Sequence, residues 1–239
     1  VGPLVRAVGT LCGRFIDVCG WDGALSAGLL AGSSMVPGIC NSHSTGSARS
    51  AHENLKGLGC EVRSVYGIES SQIGQFDAAL IRVPYWLGNQ AVRLLVISAW
   101  QALREGGIVY LAGERSRGFK TFAAMLSDIF GEFETVSSSG GVRVIQARRG
   151  RGCLTSTSPA AGELGVTTVL IRGLPLRIAC HPAIFASGMV DSATQMLIDC
   201  LPRSTGTQLD LGCGSGVVAA VMACRSPHCQ VTAVDSNLV

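Results

Sequence analysis

Short apolar runs alternate with segments of helical periodicity along the first 150 residues of this 239-residue chain. In residues 120–130, for example, apolar side chains recur three or four positions apart, which is the spacing of an amphipathic helix. The alternation predicts an α/β fold, with a mostly parallel sheet and helices on both faces. Strands are predicted at 15–18, 36–40, 62–65, 76–81, 108–112 and 142–147, and helices at 48–58, 89–104, 120–130 and in a segment ending at Leu30.

A segment without periodicity separates this region from the rest of the chain. Residues 148–162 are rich in Arg, Gly, Ser, Thr and Pro, a composition typical of a linker. We predict a Rossmann-like domain over 1–150, a linker over 151–165, and the N-terminal part of a second domain of the same class over 166–239. In this second part, strands are predicted at 167–171, 176–180, 208–211 and 231–235, and helices at 191–201 and 217–224.

The most specific local pattern lies close to the end of the chain. An apolar strand at 208–211 leads into a turn containing Gly212, Gly214 and Gly216, and the next strand ends on Asp235. Glycine lets the backbone approach a ligand closely. An acid at the end of the second strand can accept both ribose hydroxyls of an adenosine. The pattern therefore predicts a site for an adenosine-bearing cofactor.

Two cofactors are compatible with this turn. Residues 214–219 fit the G-x-G-x-x-A pattern of dinucleotide-binding domains, with Asp235 about twenty residues further on. The opening of the turn, Asp-Leu-Gly-Cys-Gly at 210–214, is instead typical of S-adenosylmethionine sites. We favour S-adenosylmethionine and keep the dinucleotide as the alternative.

Three sequence blocks outside this turn carry a family resemblance. They are Phe-Asp-Ala-Ala-Leu-Ile-Arg-Val-Pro at 76–84, Gly-Glu-Arg-Ser-Arg-Gly at 113–118, and Pro-Ala-Ile-Phe-Ala-Ser-Gly-Met-Val-Asp at 182–191. Over nearly all its length the chain resembles the two-domain ribosomal RNA guanine-N2 methyltransferases of the small subunit, which are class I S-adenosylmethionine-dependent enzymes. In that family, a degenerate N-terminal methyltransferase-like domain is joined to an active C-terminal one.

The resemblance implies which residues hold the cofactor. The acid at 210 orients the turn, the acid at 235 accepts the ribose hydroxyls, and the 182–191 segment covers the pocket. For Asp210 and Asp191 a helix-capping role is the alternative, and for Phe185 it is a place in the core. For Asp235 the alternative is a surface acid at a strand end, and for the three glycines it is a tight turn without a ligand. The predicted cofactor-binding residues are Asp210, Gly212, Cys213, Gly214, Gly216, Asp235, Ser236, Phe185 and Asp191.

The chain departs from the family pattern at two places. Pro182-Ala183 stands where the family has a Pro-Gly pair, and no Asn-Pro-Pro-Phe type motif follows Asp235. In the first half, residues 82–85 (Arg-Val-Pro-Tyr) occupy the corresponding place without the Asn and the first Pro. Because that motif holds the guanine amine in the family, we predict no catalytic residue. We expect these 239 residues alone not to methylate RNA.

The first half has lost the features of a cofactor site. Trp21 interrupts its glycine turn at 17–23, and Cys40-Asn41-Ser42 stands where an acid would follow the second strand. We therefore expect this half to bind no cofactor, and to support the second half and contact RNA.

Composition and charge favour a well-packed protein with an RNA partner. Apolar residues make up 47% of the chain and charged residues 15%, so a core is easily filled and disorder is disfavoured. Residues 1–152 contain 15 basic and 11 acidic residues, a net charge of +4, whereas residues 153–239 carry −1. The predicted RNA contacts are Arg143, Arg148, Arg149 and Arg151, since guanidinium groups pair well with phosphate. A solvated linker face is the alternative for this cluster.

The favoured function is methylation of ribosomal RNA in the small subunit or in one of its assembly intermediates. The alternatives are a non-catalytic RNA-binding or ribosome-assembly factor on a methyltransferase scaffold, and a methyltransferase acting on protein or small molecules.

The ten cysteines include no C-x-x-C pair and are predicted to be reduced, buried thiols. A zinc site at Cys224, His228 and Cys229 is disfavoured against a helix end followed by a loop. The predicted location is the cytoplasm, with the mitochondrial matrix as the alternative, and neither a membrane span nor a secretory leader is expected.

Overall fold

The computed structural model describes residues 1–9, 13–31, 37–151, 164–203 and 205–238. Apart from its last two residues, the chain divides into two compact units, Val1–Gly162 and Glu163–Asn237. Most of the predicted linker, residues 152–163, lies outside the described residues, as does the start of the strand predicted at 36–40. Among the described helices, none combines the length and the apolar composition needed to cross a membrane.

The first unit is built on a seven-stranded sheet, in the order β3-β2-β1-β4-β5-β7-β6. Strands β1 to β5 are parallel, whereas β7 pairs antiparallel with both β5 and β6. The strands are β1 (Phe15–Asp17), β2 (Gly38–Ser42), β3 (Cys60–Ser64), β4 (Phe76–Arg82), β5 (Leu103–Glu114), β6 (Phe133–Ser139) and β7 (Val142–Arg148). The helices are α1 (Gly2–Val8), α2 (Ala24–Leu30), α3 (Thr45–Leu55), α4 (Asn89–Ala102) and α5 (Phe119–Phe130). The predicted mostly parallel Rossmann-like sheet is confirmed.

Helices cover both faces of this sheet. Side chains alternate between the two faces of a strand, and in β4 the four consecutive residues from Ala78 to Ile81 are all buried. Ala78 and Leu80 pack in one cluster with Leu25 and Leu29 of α2. The intervening side chains, Ala79 and Ile81, therefore lie on the opposite face.

The strand order reverses next to β1, which has β2 on one side and β4 on the other. In open sheets of this kind, ligands bind in the crevice outside the carboxyl ends of the strands at such a reversal. The residues that follow β1 and β4 therefore border the natural binding crevice of the first unit.

Two elements of the first unit are absent from the sequence-based prediction, and several boundaries were wrong, such as that of the helix predicted at 48–58, which spans Thr45–Leu55. Helix α1 is only seven residues long, and β6 is an edge strand with exposed or half-exposed side chains throughout. The predicted helix 89–104 ends at Ala102, and β5 begins at once with Leu103.

The second unit contains two small sheets and two helices. An antiparallel hairpin is formed by β8 (Gly165–Ile171) and β9 (Leu174–Cys180), and a parallel pair by β10 (Gly206–Leu211) and β11 (Cys229–Val234). The helices are α6 (Ser192–Cys200) and α7 (Val217–Arg225). Ile178 of the hairpin packs with Ile198 of α6 and Val221 of α7. The unit therefore has a core of its own.

Candidate cofactor site

The glycine turn links β10 to α7 in the second unit. The amides of Gly212 and Cys213 both donate to the carbonyl of Val234, at 2.7 and 3.1 Å, and so join the turn to the end of β11. Gly212, Gly214 and Gly216 have φ angles of 79°, 53° and 76°. Residues other than glycine rarely adopt this left-handed backbone conformation. The path of the backbone therefore requires glycine at these three positions.

The space in front of the turn is open. A Cβ atom placed on Gly212 or Gly216 would meet no atom within 4 Å, and one on Gly214 would meet only Ile184, at 3.7 Å. Protein packing therefore leaves room for a ligand at the turn.

Asp210 lies in β10 and stabilises the helix after the turn. Its Oδ2 accepts a hydrogen bond from the Ala219 amide at 2.9 Å. That amide belongs to the first turn of α7, whose N–H groups have no partner within the helix. The capping role considered from the sequence is thus present. A carboxylate has about four lone-pair positions, so capping leaves Asp210 able to accept from a ligand.

Asp235 follows β11 and faces the same turn. Its Oδ2 accepts from the Gly214 amide and its Oδ1 from the Asn237 amide, both at 2.8 Å. The Asn237 amide, supported by that of Gly214, lowers the pKa of Asp235 against the opposing effect of burial. The side chain is therefore held as a carboxylate beside the glycine turn, with lone pairs remaining for hydroxyl donors.

The segment between β9 and α6 borders the same space. Ala186 and Ser187 have φ angles of 60° and 35°, and such left-handed residues cost of order 1–3 kcal/mol each and are concentrated at functional sites. Phe185 is 80% exposed, so the alternative of a core position is wrong. Asp191 is the N-cap of α6, accepting from the amides of Ala193 and Thr194.

These three segments surround one cavity of about 280 Å³. Seven of the nine predicted cofactor residues line it, and the exceptions are Gly216 and Ser236. Three of the lining side chains are carboxylates. Among the described residues that line the cavity, none is Lys, Arg or His. The thiol of Cys213 also lines it, and burial together with the nearby Asp210 and Asp235 raises its pKa.

Asn237 belongs to this cavity and was missed by the sequence analysis. Its amide donates to Asp235, and its side-chain Nδ2 donates to the carbonyl of Ala183 at 2.8 Å. It therefore ties the strand-end acid to the segment before α6. The sequence signal for Asn237 was its position two residues after an acid. Because this spacing is common to many turns, it does not by itself indicate a cavity residue.

The four arginines predicted to contact RNA do not form one cluster. Arg143 pairs in register with Gly113 near one end of β7, and Arg148 pairs with Ile108 near the other end. Arg148 donates to the carbonyl of Gly106 at 2.6 Å. The remaining two are also engaged: the guanidinium of Arg149 lies 4.0 Å from the centre of the Trp100 ring, and Arg151 pairs with Glu105 at 2.6 Å. Their role in RNA contact stays a prediction.

The described cysteines are free thiols, but the expectation that they are buried was wrong for some of them. Cys19 and Cys40 are buried, whereas Cys200 and Cys224 are exposed. Within the described part of the chain, no group of His, Cys, Asp and Glu side chains is arranged to hold a metal ion.

Comparison with known proteins agrees with this geometry. Residues 175–239 match the model of the methyltransferase small domain. Ribosomal RNA small subunit methyltransferase C of Psychromonas ingrahamii is 26% identical over 164 residues, which cover 68% of this chain and 46% of that protein. The protein of the same name from Aeromonas hydrophila is 42% identical over 62 residues, covering 26% of this chain and 18% of its own. The predicted family resemblance is confirmed.

A solved structure shows the same fold. The T. thermophilus 16S rRNA N2 methyltransferase (RsmC), in complex with AdoMet and guanosine, matches with a TM-score of 0.80 over 99% of this chain and 62% of that chain, at 23% identity. The chain spans about half the length of the curated relatives it matches.

Proposed function

We propose that this chain is part of an S-adenosylmethionine-dependent methyltransferase that acts on ribosomal RNA of the small subunit, at the N2 amine of a guanine. The names of the relatives and the fold match support the RNA substrate. The cavity of the second unit supports the cofactor. A cytoplasmic location, proposed with this function, accords with the bacterial origin of those relatives.

The observation that carries the cofactor assignment is the charge of that cavity. Asp191, Asp210 and Asp235 line it without a basic side chain among the described lining residues. S-adenosylmethionine carries a sulfonium and an ammonium cation against a single carboxylate, so it suits an acidic cavity. A dinucleotide brings a pyrophosphate, which such a cavity repels. The structure thus favours the methyl donor over the dinucleotide that the glycine pattern also allowed.

The open space in front of the glycine turn fits such a cofactor. Asp235 would accept from the ribose hydroxyls, and the backbone at Gly212 and Gly214 would lie against the ligand. Asp210 would hold the turn through its bond to α7, and Phe185 would cover the exposed side. When bound, the cofactor supplies an electrophilic methyl group on sulfur. The protein's contribution is to bind it, orient it and exclude water.

Calorimetric titration of S-adenosylmethionine into the wild-type chain and into Asp235→Asn tests this assignment. Asn keeps one carbonyl acceptor and removes the charge, and hydrogen bonds to charged groups are worth about 1.5–3 kcal/mol. We therefore expect affinity to fall about tenfold or more. Asp199→Asn is the matched control, because Asp199 is an acid of the same unit that pairs with Arg172 outside the cavity.

Equal affinity of Asp235→Asn and wild type would refute the ribose-binding role of Asp235. Titration with NAD separates the two cofactor classes, and tight NAD binding by the wild-type chain would contradict the charge argument. Circular dichroism of each variant shows whether a weakened titration reflects lost binding or lost structure.

A non-catalytic RNA-binding factor on the same scaffold is the second candidate. Methyl transfer from tritiated S-adenosylmethionine to small ribosomal subunits or their naked RNA distinguishes the two. This assay must use a protein of the relatives' full length, because the chain spans about half of that length.

A further inference from the structure

The first unit has a cavity that the proposed function does not use. It encloses about 400 Å³, within the range of small-ligand sites. It lies at the carboxyl ends of β1, β4 and β5, where the strand order reverses and where folds of this kind bind ligands. The residues that give it chemical character are Trp21, Arg82, Tyr85, Trp86, Glu114 and Arg117.

Two tryptophans of this cavity are exposed to solvent. Trp21 follows β1 and is 37% exposed, and Trp86 follows β4 and is 51% exposed. Their ring centres are 3.9 Å apart with an angle of 67° between the planes. Burying these rings would be favourable, yet both leave much of their surface open.

The backbone holds Trp21 in this position. Its φ angle is 43°, a left-handed conformation that is an outlier for a bulky residue. The loop around it is fixed, because the Gly20 amide donates to the carbonyl of Asn41 at 2.8 Å and the Gly23 amide to that of Gly20 at 2.7 Å. Such strain persists only where the surrounding structure imposes it, and it is concentrated at ligand sites.

Two guanidinium groups lie on the aromatic rings. Arg82 is 5.4 Å from the centre of the Trp21 ring, and Arg117 is 4.3 Å from that of Tyr85. Tyr85 is fixed by hydrogen bonds between its hydroxyl and the backbone of Glu114. The Glu114 carboxylate is 3.8 Å from Arg117, whereas Arg82 forms no ion pair among the described residues.

We propose that this cavity binds an unpaired nucleobase of single-stranded RNA. The base would stack on the exposed tryptophan surface, since every base has a π-face and stacking on aromatic side chains is independent of sequence. The guanidinium groups of Arg82 and Arg117 would meet the phosphates on either side. The net charge of +4 on residues 1–152 favours the same partner.

The choice of RNA over a free nucleotide rests on the proposed function, in which the chain acts on ribosomal RNA. The two proposals nevertheless concern different units. Because each can be measured by its own ligand, the failure of one is distinguishable from the failure of the other.

Fluorescence anisotropy with a labelled ten-nucleotide single-stranded RNA tests the site. We expect Trp86→Ala to weaken binding about 5- to 150-fold, the range for loss of one stacking side chain. Trp86→Phe should retain most of the affinity, because it restores an aromatic face. Arg82→Gln should reduce the slope of log affinity against log salt by about 0.7, the value for one phosphate contact on a single strand.

Phe133→Ala is the matched control, since Phe133 is an aromatic residue of the same unit, 40% exposed, on the edge strand β6 and outside this cavity. It should bind RNA as the wild type does. Trp86→Ala should bind S-adenosylmethionine with wild-type affinity, which shows that the loss is confined to the first unit.

Three results would overturn the proposal. One is the absence of oligonucleotide binding by the wild-type chain, and another is wild-type binding by both Trp86→Ala and Arg82→Gln. The third is displacement of the oligonucleotide by AMP at an equal nucleotide concentration, which would make the site one for free nucleotides. A duplex of the same sequence should bind more weakly than the single strand, and equal binding would also contradict an unpaired base.

Discussion

Replacing Asp17 by Asn measures what a buried carboxylate costs the first unit. Asp17 ends β1 and is fully buried. Its Oδ1 accepts from the Cys19 amide at 3.4 Å and its Oδ2 from the Ser26 hydroxyl at 3.3 Å. Burial raises the pKa of Asp17 from 3.8 to about 7, although both hydrogen bonds act in the opposite direction. Because Asn has the same shape without the charge, the substitution removes the ionisation and keeps the packing.

The sign of the pH dependence follows from this raised pKa. Between pH 3.8 and about 7 the folded state holds a proton that the unfolded state has released. The contribution of this bound proton to the free energy of unfolding is full below pH 3.8 and is lost as the pH rises through about 7. Since a tenfold change in the protonation equilibrium is worth about 1.4 kcal/mol, the wild type should lose about 3 kcal/mol relative to Asp17→Asn between pH 5 and pH 8.

Urea unfolding at pH 5, 6, 7 and 8, followed by tryptophan fluorescence, measures this difference. All three tryptophans of the chain lie in the first unit, so the signal reports on the sheet that contains Asp17. His43 is close by, with its Nδ1 3.9 Å from the Cys19 sulfur, and burial lowers its pKa. That residue is present in both proteins, so its contribution cancels in the comparison.

Asp128→Asn is the control for loss of one negative charge, because its carboxylate is exposed and pairs with Arg93 on the surface. Its stability difference from wild type should be nearly constant over the same pH range. A wild-type minus Asp17→Asn difference that is equally flat would refute the argument. It would mean that Asp17 ionises in the folded state as readily as in the unfolded one.

Two further predictions concern the packing of the first unit, and the same urea assay measures both. Gly38→Ala should destabilise it by about 1–3 kcal/mol, because the added Cβ would lie 2.3 Å from the ring of the buried Phe15. The control Gly46→Ala, with nothing within 4 Å of its Cβ, should change stability by less. Equal effects of the two substitutions would contradict the packing argument. Tyr66→Phe should cost about 1–2 kcal/mol, since the buried hydroxyl donates to the carbonyl of Ala91 at 2.6 Å, and an unchanged unfolding midpoint would show that this bond adds no net stability.

The features predicted correctly are those whose signals are local in sequence. The glycine turn is one, because Gly212, Gly214 and Gly216 are required by their own left-handed φ angles. The parallel strands of the first unit are another, because strands buried on both faces give continuous apolar runs such as 78–81. The confirmed family resemblance also rests on local blocks, at 76–84, 113–118 and 182–191.

The features that were missed lack an apolar signal or depend on partners far away in the sequence. Strand β6 is polar, with three serines at its end, and pairs with the neighbouring strand β7. Asn237 gains its place in the cavity from a bond to Ala183, 54 positions earlier. The separation of Arg143 from Arg148 follows from the length of β7, which a count of nearby arginines does not show.

The two units use the same strand–turn–helix–strand arrangement in different ways, and the difference lies in what fills the turn. In the first unit a Cβ atom on Gly20 would lie 2.1 Å from the sulfur of Cys40. Asn41, in β2, is buried and donates to Gln72 at 3.0 Å. In the second unit the equivalent turn faces open space at Gly212 and Gly216.

Protein side chains therefore occupy, in the first unit, the volume that is left open in the second. An accessible cavity of the first unit lies instead between the loops after β1, β4 and β5, where its surface is aromatic and cationic. An acidic cavity selects a cationic ligand, whereas exposed rings with guanidinium groups select a flat base carrying phosphates. The same arrangement of strands and turns thus carries two cavities of different charge, and we propose the acidic one for the methyl donor and the aromatic, cationic one for RNA.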